Sequence, residues 1–297
     1  MRKMKIGSGR SKAYRVVSII ILIILALFFL FPLYWIITGA FKPAQDIYSQ
    51  TPVWWPSQWV STNFKNLFLK RSAPLFSFFG IDGPSAPAAI RWLINTVFMS
   101  VFSMILTCIT AAMAGYALAK KRFVGRTLLF SLIVCAMALP KQVILIPLLK
   151  EMSALSLIDK IWAVILPTVG WPFGVFLMKQ FAEGIPGEIL EAARVDGAGE
   201  MRTFVTIVTP MIKPGIGALA IFTFINTWND YFMQLIMLSS NANYTISLGI
   251  ATLQAEGSVD MGLLMSGAAL ASVPIIIVFL IFQKYFTQGI TMGAVKG

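Results

Sequence analysis

Long apolar runs separated by short polar segments are the dominant pattern along this chain of 297 residues. Six of the runs have the length that an α-helix needs to cross a bilayer, about 20 residues. They cover residues 16–37, 89–118, 127–149, 161–181, 214–238 and 262–282. The pattern therefore predicts an all-α protein, a polytopic transmembrane helical bundle with six spans.

Proline and glycine interrupt two of the predicted spans. Pro140 and Pro147 lie in the third, and Pro167, Gly170 and Pro172 lie in the fourth. Such residues break or kink a helix, and broken backbone at membrane depth is tolerated where it lines a cavity or is buried in protein. The interruptions favour a transport path over a purely structural bundle.

The composition favours one membrane domain, because 58% of the residues are hydrophobic and only 12% are charged. We assign that domain to residues 16–288, between a basic N-terminal segment, 1–15, and a tail, 289–297. The run at 16–37 is too long for a signal peptide and has no cleavage site, so we expect a retained span.

The net charge of +12 does not indicate nucleic-acid binding, because the basic residues cluster at the ends of the spans. Most of them lie at the N-terminus, in the loop after the second span and in the loop after the fourth. The positive-inside rule then places both termini in the cytoplasm.

Nothing in the sequence suggests catalysis. The chain has no histidine, and its two cysteines lie in apolar runs. We find no nucleophile beside a base, no metal-ligating cluster and no phosphate-binding Gly-Lys-Ser/Thr loop. We therefore predict that the chain is not an enzyme, binds no cofactor or metal, and leaves any ATP hydrolysis to another subunit.

The most polar loop between spans, residues 183–213, is called the acidic segment below. It contains five of the chain's 12 acidic residues, Glu183, Glu188, Glu191, Asp196 and Glu200. A polar stretch of this kind must face water or a partner. Pro186 predicts the start of a short helix, Gly197 predicts its end in the left-handed conformation, and a second helix is expected from about Gly199.

This segment resembles the cytoplasmic loop motif of ABC importer permeases. The resemblance rests on Glu191-Ala192-Ala193, Gly197, Ile207 and Pro210, although Thr209 stands where the family usually has leucine. It implies the type I ABC importer permease fold and a coupling helix, within residues 185–210, that docks on an ATPase using ATP and Mg²⁺. The implied coupling residues are Glu188, Glu191, Ala192, Ala193, Asp196, Gly197 and Pro210. Without the resemblance, an amphipathic interfacial helix remains the alternative.

Other stretches resemble the maltose-type carbohydrate importer permeases more narrowly. They are Gly115-Tyr116-Ala117-Leu118-Ala119, Pro172-Phe173-Gly174, Trp228-Asn229-Asp230 and the Gly-Ala-Val-Lys-Gly end. This likeness implies a subunit for sugar uptake in the cell membrane of a prokaryote, with oligosaccharides as the expected substrates. Its implied partners are a second, homologous permease, two ATPase subunits, an extracellular solute-binding protein, membrane lipid and the carbohydrate. It also implies that the tail, with Gly293, Val295, Lys296 and Gly297, contacts the ATPase subunits; a free terminus is the alternative.

Polar residues inside the spans are the candidates for a substrate path. They are Lys141, Asn226, Trp228, Asn229, Asp230 and Tyr231. Ionisable groups within a membrane are functional hypotheses by default, and the aromatic rings offer stacking surfaces for sugars. Hydrogen bonding between helices is the alternative for the fifth span. Lys141 is expected to face a cavity, where it either attracts an acidic sugar or pairs with Asp230.

Three other functions remain alternatives. The first is an ABC importer permease for a solute that is not a sugar. The second is a channel or a proton-coupled secondary transporter, which normally needs more ionisable groups in its spans than this chain has. The third, a membrane enzyme, is disfavoured because histidine and carboxylate clusters are missing.

Overall fold

The computed structural model describes residues 12–78, 81–255 and 260–294, and these are mostly helical, as the sequence predicts. The predicted all-α class needs one small correction in the loop after the first span. Two short antiparallel strand pairs form there, β1 (Ser72–Pro74) with β4 (Ser85–Pro87) and β2 (Ser77–Phe78) with β3 (Ile81–Asp82).

Fifteen α-helices and one π-helical turn, Phe204–Val208, account for the helical part of the described chain. The helices are α1 (Lys12–Ala40), α2 (Ala44–Ile47), α3 (Thr62–Leu69), α4 (Ala88–Lys120), α5 (Arg126–Ala136), α6 (Lys141–Ala154), α7 (Trp162–Val169), α8 (Pro172–Glu183), α9 (Gly187–Val195), α10 (Glu200–Thr203), α11 (Thr209–Met211), α12 (Lys213–Asn229), α13 (Tyr231–Met237), α14 (Ile246–Ala255) and α15 (Met261–Ala294).

Within the described residues, four helical stretches are long and apolar enough to cross a membrane, and the number reaches six if each of two bent pairs counts as one span. The four are Tyr14–Ala40, Ala88–Lys120, Trp162–Glu183 and Met261–Gln283. The bent pairs are α5 with α6, at 107°, and residues 200–211 with α12, at 79°. The third predicted span is therefore not one continuous helix, because Pro140 cannot continue the hydrogen-bond ladder.

The chain divides into two compact units. The first contains α1, α2, most of α3 and the beginning of α15. Inside it, the Asn63 side-chain amide donates to the carbonyl oxygens of Ala40 and Lys42 at 3.1 and 2.9 Å, and the Ser266 hydroxyl donates to the Asn63 carbonyl at 3.3 Å. These bonds join the end of α1 to α3 and α15. The side chains along the first half of α1 are nearly all exposed and apolar, which suits lipid or another apolar chain.

The second unit contains the other elements, and α4 lies at its centre. Small residues on α4 and α8 let the two helices approach closely. A Cβ added at Gly115 would lie 2.6 Å from the backbone nitrogen of Lys179, and one added at Gly174 would lie 3.3 Å from the Ala111 side chain. A second cluster joins α4 to α6, α7, α13 and α14 through Met99, Leu145, Ile165, Met237 and Leu248.

Gly115→Leu is expected to destabilise the second unit. The added side chain meets backbone rather than a flexible side chain, so α4 and α8 must separate, at a cost of about 1–3 kcal/mol. Thermal unfolding of the purified protein measures the effect. Gly187→Ala is the control, because an added Cβ there meets no atom within 4 Å. Equal melting temperatures for the two variants would contradict the close packing.

Candidate functional site

The acidic segment begins with α9, a short helix whose charges match its dipole. Pro186 immediately precedes the helix, Glu188 lies in its first turn and Arg194 in its last. Negative charge at the N-terminus and positive charge at the C-terminus both stabilise a helix. The predicted helix is thus present, with Pro186 at the N-cap rather than inside the first turn.

Gly197 ends α9 in the left-handed conformation, with φ of 74°, as the sequence predicts. The Gly197 N–H donates to the Arg194 carbonyl at 3.1 Å, and the Ala198 N–H donates to the Ala193 carbonyl at 2.9 Å. This pair of bonds is a Schellman motif, which satisfies the last carbonyls of the helix. The chain then reverses and α10 starts after Gly199.

One face of α9 packs on the protein and the opposite face is free. Ala193 is buried, and Leu190 packs against the cluster that includes Ile185 and Ala182. The exposed face consists of residues at i, i+3, i+4 and i+7, namely Glu188, Glu191, Ala192 and Val195. Four predicted coupling residues thus divide between two faces, with Glu188, Glu191 and Ala192 exposed and Ala193 buried.

Val195 is a residue of this face that sequence reasoning missed. Its side chain is 87% exposed, although it lies on a polar helix beyond the apolar spans. Ile189, beside the same face, is also exposed. Apolar side chains grouped with carboxylates on a free surface are typical of a site that another protein covers. Val195 follows Glu188 by seven residues, which places both on one face of a helix, and this spacing could have identified Val195 from the sequence.

The remaining predicted coupling residues lie at the two turns of the acidic segment. Asp196 and Gly197 are exposed after α9, and Pro210 is exposed in α11. The π-helical turn before Pro210 widens the helix at a point where proline donates no N–H. Thr209 donates its hydroxyl to the Phe204 carbonyl at 2.9 Å. Threonine in place of the expected leucine therefore supplies a hydrogen-bond donor to a backbone carbonyl of the widened turn.

Two lysines at the end of α4 hold the acidic segment at both of its helices. Lys120 donates to the carbonyl oxygens of Glu183 and Ile185, at 3.1 and 2.6 Å, just before α9. Lys121 forms an ion pair with Glu200, the first residue of α10. The basic residues of this loop served in the sequence only to orient the spans, and the opposite charges of the two segments were the signal for the contact.

The pKa values at this junction follow from the ion pair. Partial burial pulls the pKa of Lys121 down, but the bond to Glu200 and the nearby Tyr116 ring outweigh it, and the pKa lies above its ordinary value. The pKa of Glu200 is lowered, mainly because Lys121 donates a hydrogen bond to its carboxylate. Both groups are therefore charged near neutral pH.

A cavity of about 460 Å³ lies in the second unit where three helix breaks meet. The breaks are those between α5 and α6 at Pro140, between α7 and α8 at Gly170 and Trp171, and between α12 and α13 at Asp230. Residues from all three breaks line it. The sequence predicted that interrupted spans border a cavity, and the structure shows a cavity at the interruptions. Irregular backbone at membrane depth is tolerated where it lines a cavity or is buried in protein.

Three of the six predicted path residues line the cavity, namely Lys141, Asn226 and Asp230. The Lys141 ammonium lies 3.3 Å from a carboxylate oxygen of Asp230, so the predicted pairing of the two residues is confirmed. Asn226 donates from its side-chain amide to the Phe222 carbonyl at 2.9 Å. Lys141 begins α6 after the break rather than lying inside a continuous span.

The other three predicted path residues are not among those that line this cavity. Trp228 is 1% exposed and stacks on Phe224, with ring centroids 5.4 Å apart, so its ring offers no open face in this structure. Tyr231 packs beside the cluster that contains Met233. Asn229 is exposed.

Trp171 and Phe173 are the aromatic residues that do line the cavity. Their ring centroids are 5.0 Å apart, one on each side of Pro172 at the start of α8. Sequence reasoning used Pro172 as a helix interruption and Pro172-Phe173-Gly174 as a family signature, and it did not single out Trp171. The signal for a site was two aromatic residues flanking a proline at a predicted helix break.

The tail, residues 289–297, is described only in part. Its first part continues helix α15, which ends at Ala294 and so includes Gly293. Val295, Lys296 and Gly297 lie outside the described residues.

Comparison with known proteins identifies the family. Residues 109–292 match the model of the family described as "binding-protein-dependent transport system inner membrane component". The matched range includes the acidic segment and all the residues named above as lining the cavity.

Two curated relatives are similar over nearly their whole length. The arabinooligosaccharides transport system permease protein AraQ of Bacillus subtilis is 32% identical over 98% of this chain and 99% of that protein. The diacetylchitobiose uptake system permease protein NgcG of Streptomyces coelicolor is 24% identical over 98% and 92%.

The fold has a counterpart among solved structures. A chain of a bacterial ABC transporter involved in the import of the acidic polysaccharide alginate superimposes with a TM-score of 0.74. The match covers 94% of this chain and 99% of that one at 22% identity, and it shows that the two chains share their fold. From the family match and the full-length relatives, we conclude that this chain belongs to the family of inner membrane components of binding-protein-dependent transport systems, which are ABC importer permeases.

Proposed function

We propose that this chain is the permease subunit of an ATP-driven, binding-protein-dependent importer for sugars, with oligosaccharides as the substrates. It forms half of the translocation path and couples to an ATPase through residues 185–210. The sugar assignment is supported by the full-length relatives, whose names refer to arabinooligosaccharides and diacetylchitobiose.

The exposed face of α9 is the observation that carries the coupling assignment. Glu188, Glu191, Ala192 and Val195 form one free surface on a helix whose other side is fixed to the protein by Leu190 and Ala193. A partner that binds this surface therefore moves α9 together with the helices behind it. A loosely attached interfacial helix would not transmit such a movement.

The partners follow from the family resemblance. They are a second, homologous permease, two ATPase subunits, an extracellular solute-binding protein and the surrounding lipid. ATP and Mg²⁺ are used by the ATPase subunits, and this chain binds no cofactor. The tail residues Gly293, Val295, Lys296 and Gly297 are proposed to contact the ATPase subunits.

The proposed topology has six spans with both termini in the cytoplasm. It counts each of the two bent helix pairs as one crossing, and the distribution of basic residues supports it. The part of the acidic segment that contains α9 precedes the second bent pair and is then cytoplasmic, where it reaches the ATPase. The cavity lies along the path between the two sides, as expected for a site formed by discontinuous helices.

The mechanism is alternating access driven by the ATPase subunits. When they close on ATP, they move α9, and Lys120 transmits part of this movement to α4 through the carbonyls of Glu183 and Ile185. Because α4 packs on α8 and α12, the helices around the cavity move as a group. The cavity opens to one side and then to the other.

Purification of the tagged chain from its native membrane tests the proposal. A second permease and an ATPase are expected to copurify, and the complex in proteoliposomes should take up oligosaccharide only when ATP and the binding protein are present. An ATPase variant that cannot hydrolyse ATP is the control. Uptake without ATP, or isolation without an ATPase, would contradict the proposed function.

A further inference from the structure

The cavity at the three helix breaks has a balanced charge. Among its lining residues, only Lys141 and Asp230 are charged, and they carry opposite signs. Their charged atoms are 3.3 Å apart, so the two charges largely cancel for anything that enters. The rest of the lining is mostly apolar, with Thr168, Thr227 and Asn226 as its uncharged polar side chains.

The ion pair is fixed in place by the helices that carry it. Asp230 is the N-cap of α13, where one carboxylate oxygen accepts from the Met233 N–H at 3.4 Å and the other accepts from Lys141. Lys141 is the first residue of α6, and 52% of its side chain remains exposed. An ammonium group has three N–H donors, so donors remain for hydroxyl groups while the pair stays formed.

An aromatic surface lies in the same cavity. Phe173 packs edge-on against Phe222, with centroids 5.6 Å apart, and Trp171 lies 5.0 Å from Phe173. This arrangement supports the Trp171 ring from behind on α8. An indole ring offers a large apolar face together with an N–H donor, and a sugar offers an apolar C–H face together with hydroxyl groups. Apolar and aromatic walls with a few placed polar groups are typical of small-molecule sites.

We propose that Trp171 and the Lys141–Asp230 pair form a sugar-contact subsite within this subunit, and that the charge balance of the subsite selects uncharged sugars over uronates. The inference rests on the proposed function, because it takes the cavity as part of the sugar path. It assigns direct sugar contact to this chain.

The selection has an electrostatic cause. A uronate carboxylate that approaches Lys141 also approaches the carboxylate of Asp230, and like charges at such a distance repel each other strongly in a partly desolvated cavity. The carboxylate loses its hydration without gaining an unpaired cation in return. A neutral sugar gains hydrogen bonds and stacking at no such cost.

Charge variants of the assembled complex in nanodiscs test this inference. Saturation-transfer NMR, without the binding protein, measures binding of three neutral trisaccharides (arabinotriose, maltotriose and xylotriose) and of trigalacturonate. At least one neutral sugar should bind the original complex about tenfold more tightly than trigalacturonate. Asp230→Asn, which keeps an N-cap side chain, should raise the relative affinity for trigalacturonate about tenfold because Lys141 is then unbalanced.

Two further variants remove the charge of Lys141, alone and together with the charge of Asp230. Lys141→Gln should lower the relative affinity for trigalacturonate, and the double variant Lys141→Gln/Asp230→Asn should restore the original preference because both charges are gone. Trp171→Ala should weaken the binding of neutral sugar about tenfold. Trp162→Ala is the matched control, because Trp162 is an exposed residue of α7 that is not among the lining residues.

The outcomes separate this inference from the proposed function. Equal binding of neutral and acidic sugars, or an unchanged preference in Asp230→Asn, overturns the charge selection. Unchanged sugar binding in Trp171→Ala overturns the subsite. Neither result affects the import of sugar with ATP and the binding protein, and only failure of that import overturns the proposed function itself.

Discussion

Gly197→Val is expected to lower ATPase stimulation and sugar uptake by the assembled complex at least about tenfold, the size of a typical coupling free energy. A β-branched side chain opposes the φ of 74° at this position, at a cost of about 1–2 kcal/mol. The Schellman bonds from Gly197 and Ala198 then weaken. The exposed face of α9 loses its fixed orientation, and the ATPase can no longer move it productively.

The matched control for Gly197→Val lies two residues away. Gly199 has an extended backbone, with φ of −67° and ψ of 162°, and an added Cβ meets no atom within 4 Å. Gly199→Thr adds a side chain of nearly the same shape as valine and suits the N-cap of α10. It should therefore behave like the original protein. If the two variants couple equally well, the conformation at Gly197 does not matter for coupling.

A companion variant tests the surface itself rather than the backbone. Glu191→Lys reverses a charge on the exposed face of α9, so folding and insertion should be unchanged. Assembly with the ATPase, or stimulation of the ATPase, should be lost. Normal transport in both Glu191→Lys and Gly197→Val would show that α9 is not the coupling helix.

The second large effect is expected for Lys120→Met. The Lys120 ammonium joins the end of α4 to the carbonyls of Glu183 and Ile185, and hydrogen bonds to a charged group contribute about 1.5–3 kcal/mol. Methionine keeps the length of the side chain and loses both bonds. ATP hydrolysis should continue, but sugar uptake per ATP should fall about tenfold because movement of α9 reaches α4 less directly.

Lys121→Met is the control for this prediction. Lys121 is the neighbouring residue, but its ion pair with Glu200 is exposed, and exposed pairs contribute only about 0–1 kcal/mol. Uptake and ATP hydrolysis measured together in proteoliposomes give the ratio for each variant. An unchanged ratio in Lys120→Met would mean that the movement reaches the spans by another route.

The local features of the acidic segment were predictable from the sequence. A polar stretch between apolar runs must lie outside hydrocarbon, so its position followed from composition alone. Pro186 and Gly197 mark the start and end of α9, because proline fixes the dihedral angle φ and glycine can adopt positive values of φ. The break at Pro140 followed from the same reasoning, although its angle of 107° did not.

The residues that line the cavity were harder to predict from the sequence than the acidic segment. Apolar residues suit both the protein interior and lipid, so periodicity along a span does not reveal which side faces a cavity. Trp228 and Asp230 are two residues apart, yet one is buried against Phe224 and the other lines the cavity. Trp171 became a candidate only when the break between α7 and α8 was seen to open on the same cavity.

The sequence by itself determined most helix ends and the breaks marked by proline and glycine, because these depend on residues close together in the chain. The break at Asp230, inside the fifth predicted span, was not predicted. Only the tertiary structure decided which breaks meet. Lys141 and Asp230 are 89 residues apart, and Lys120 reaches carbonyls 63 and 65 residues away. Contacts of this kind depend on how closely α4, α8 and α12 pack, and side-chain shape across three helices fixes that packing.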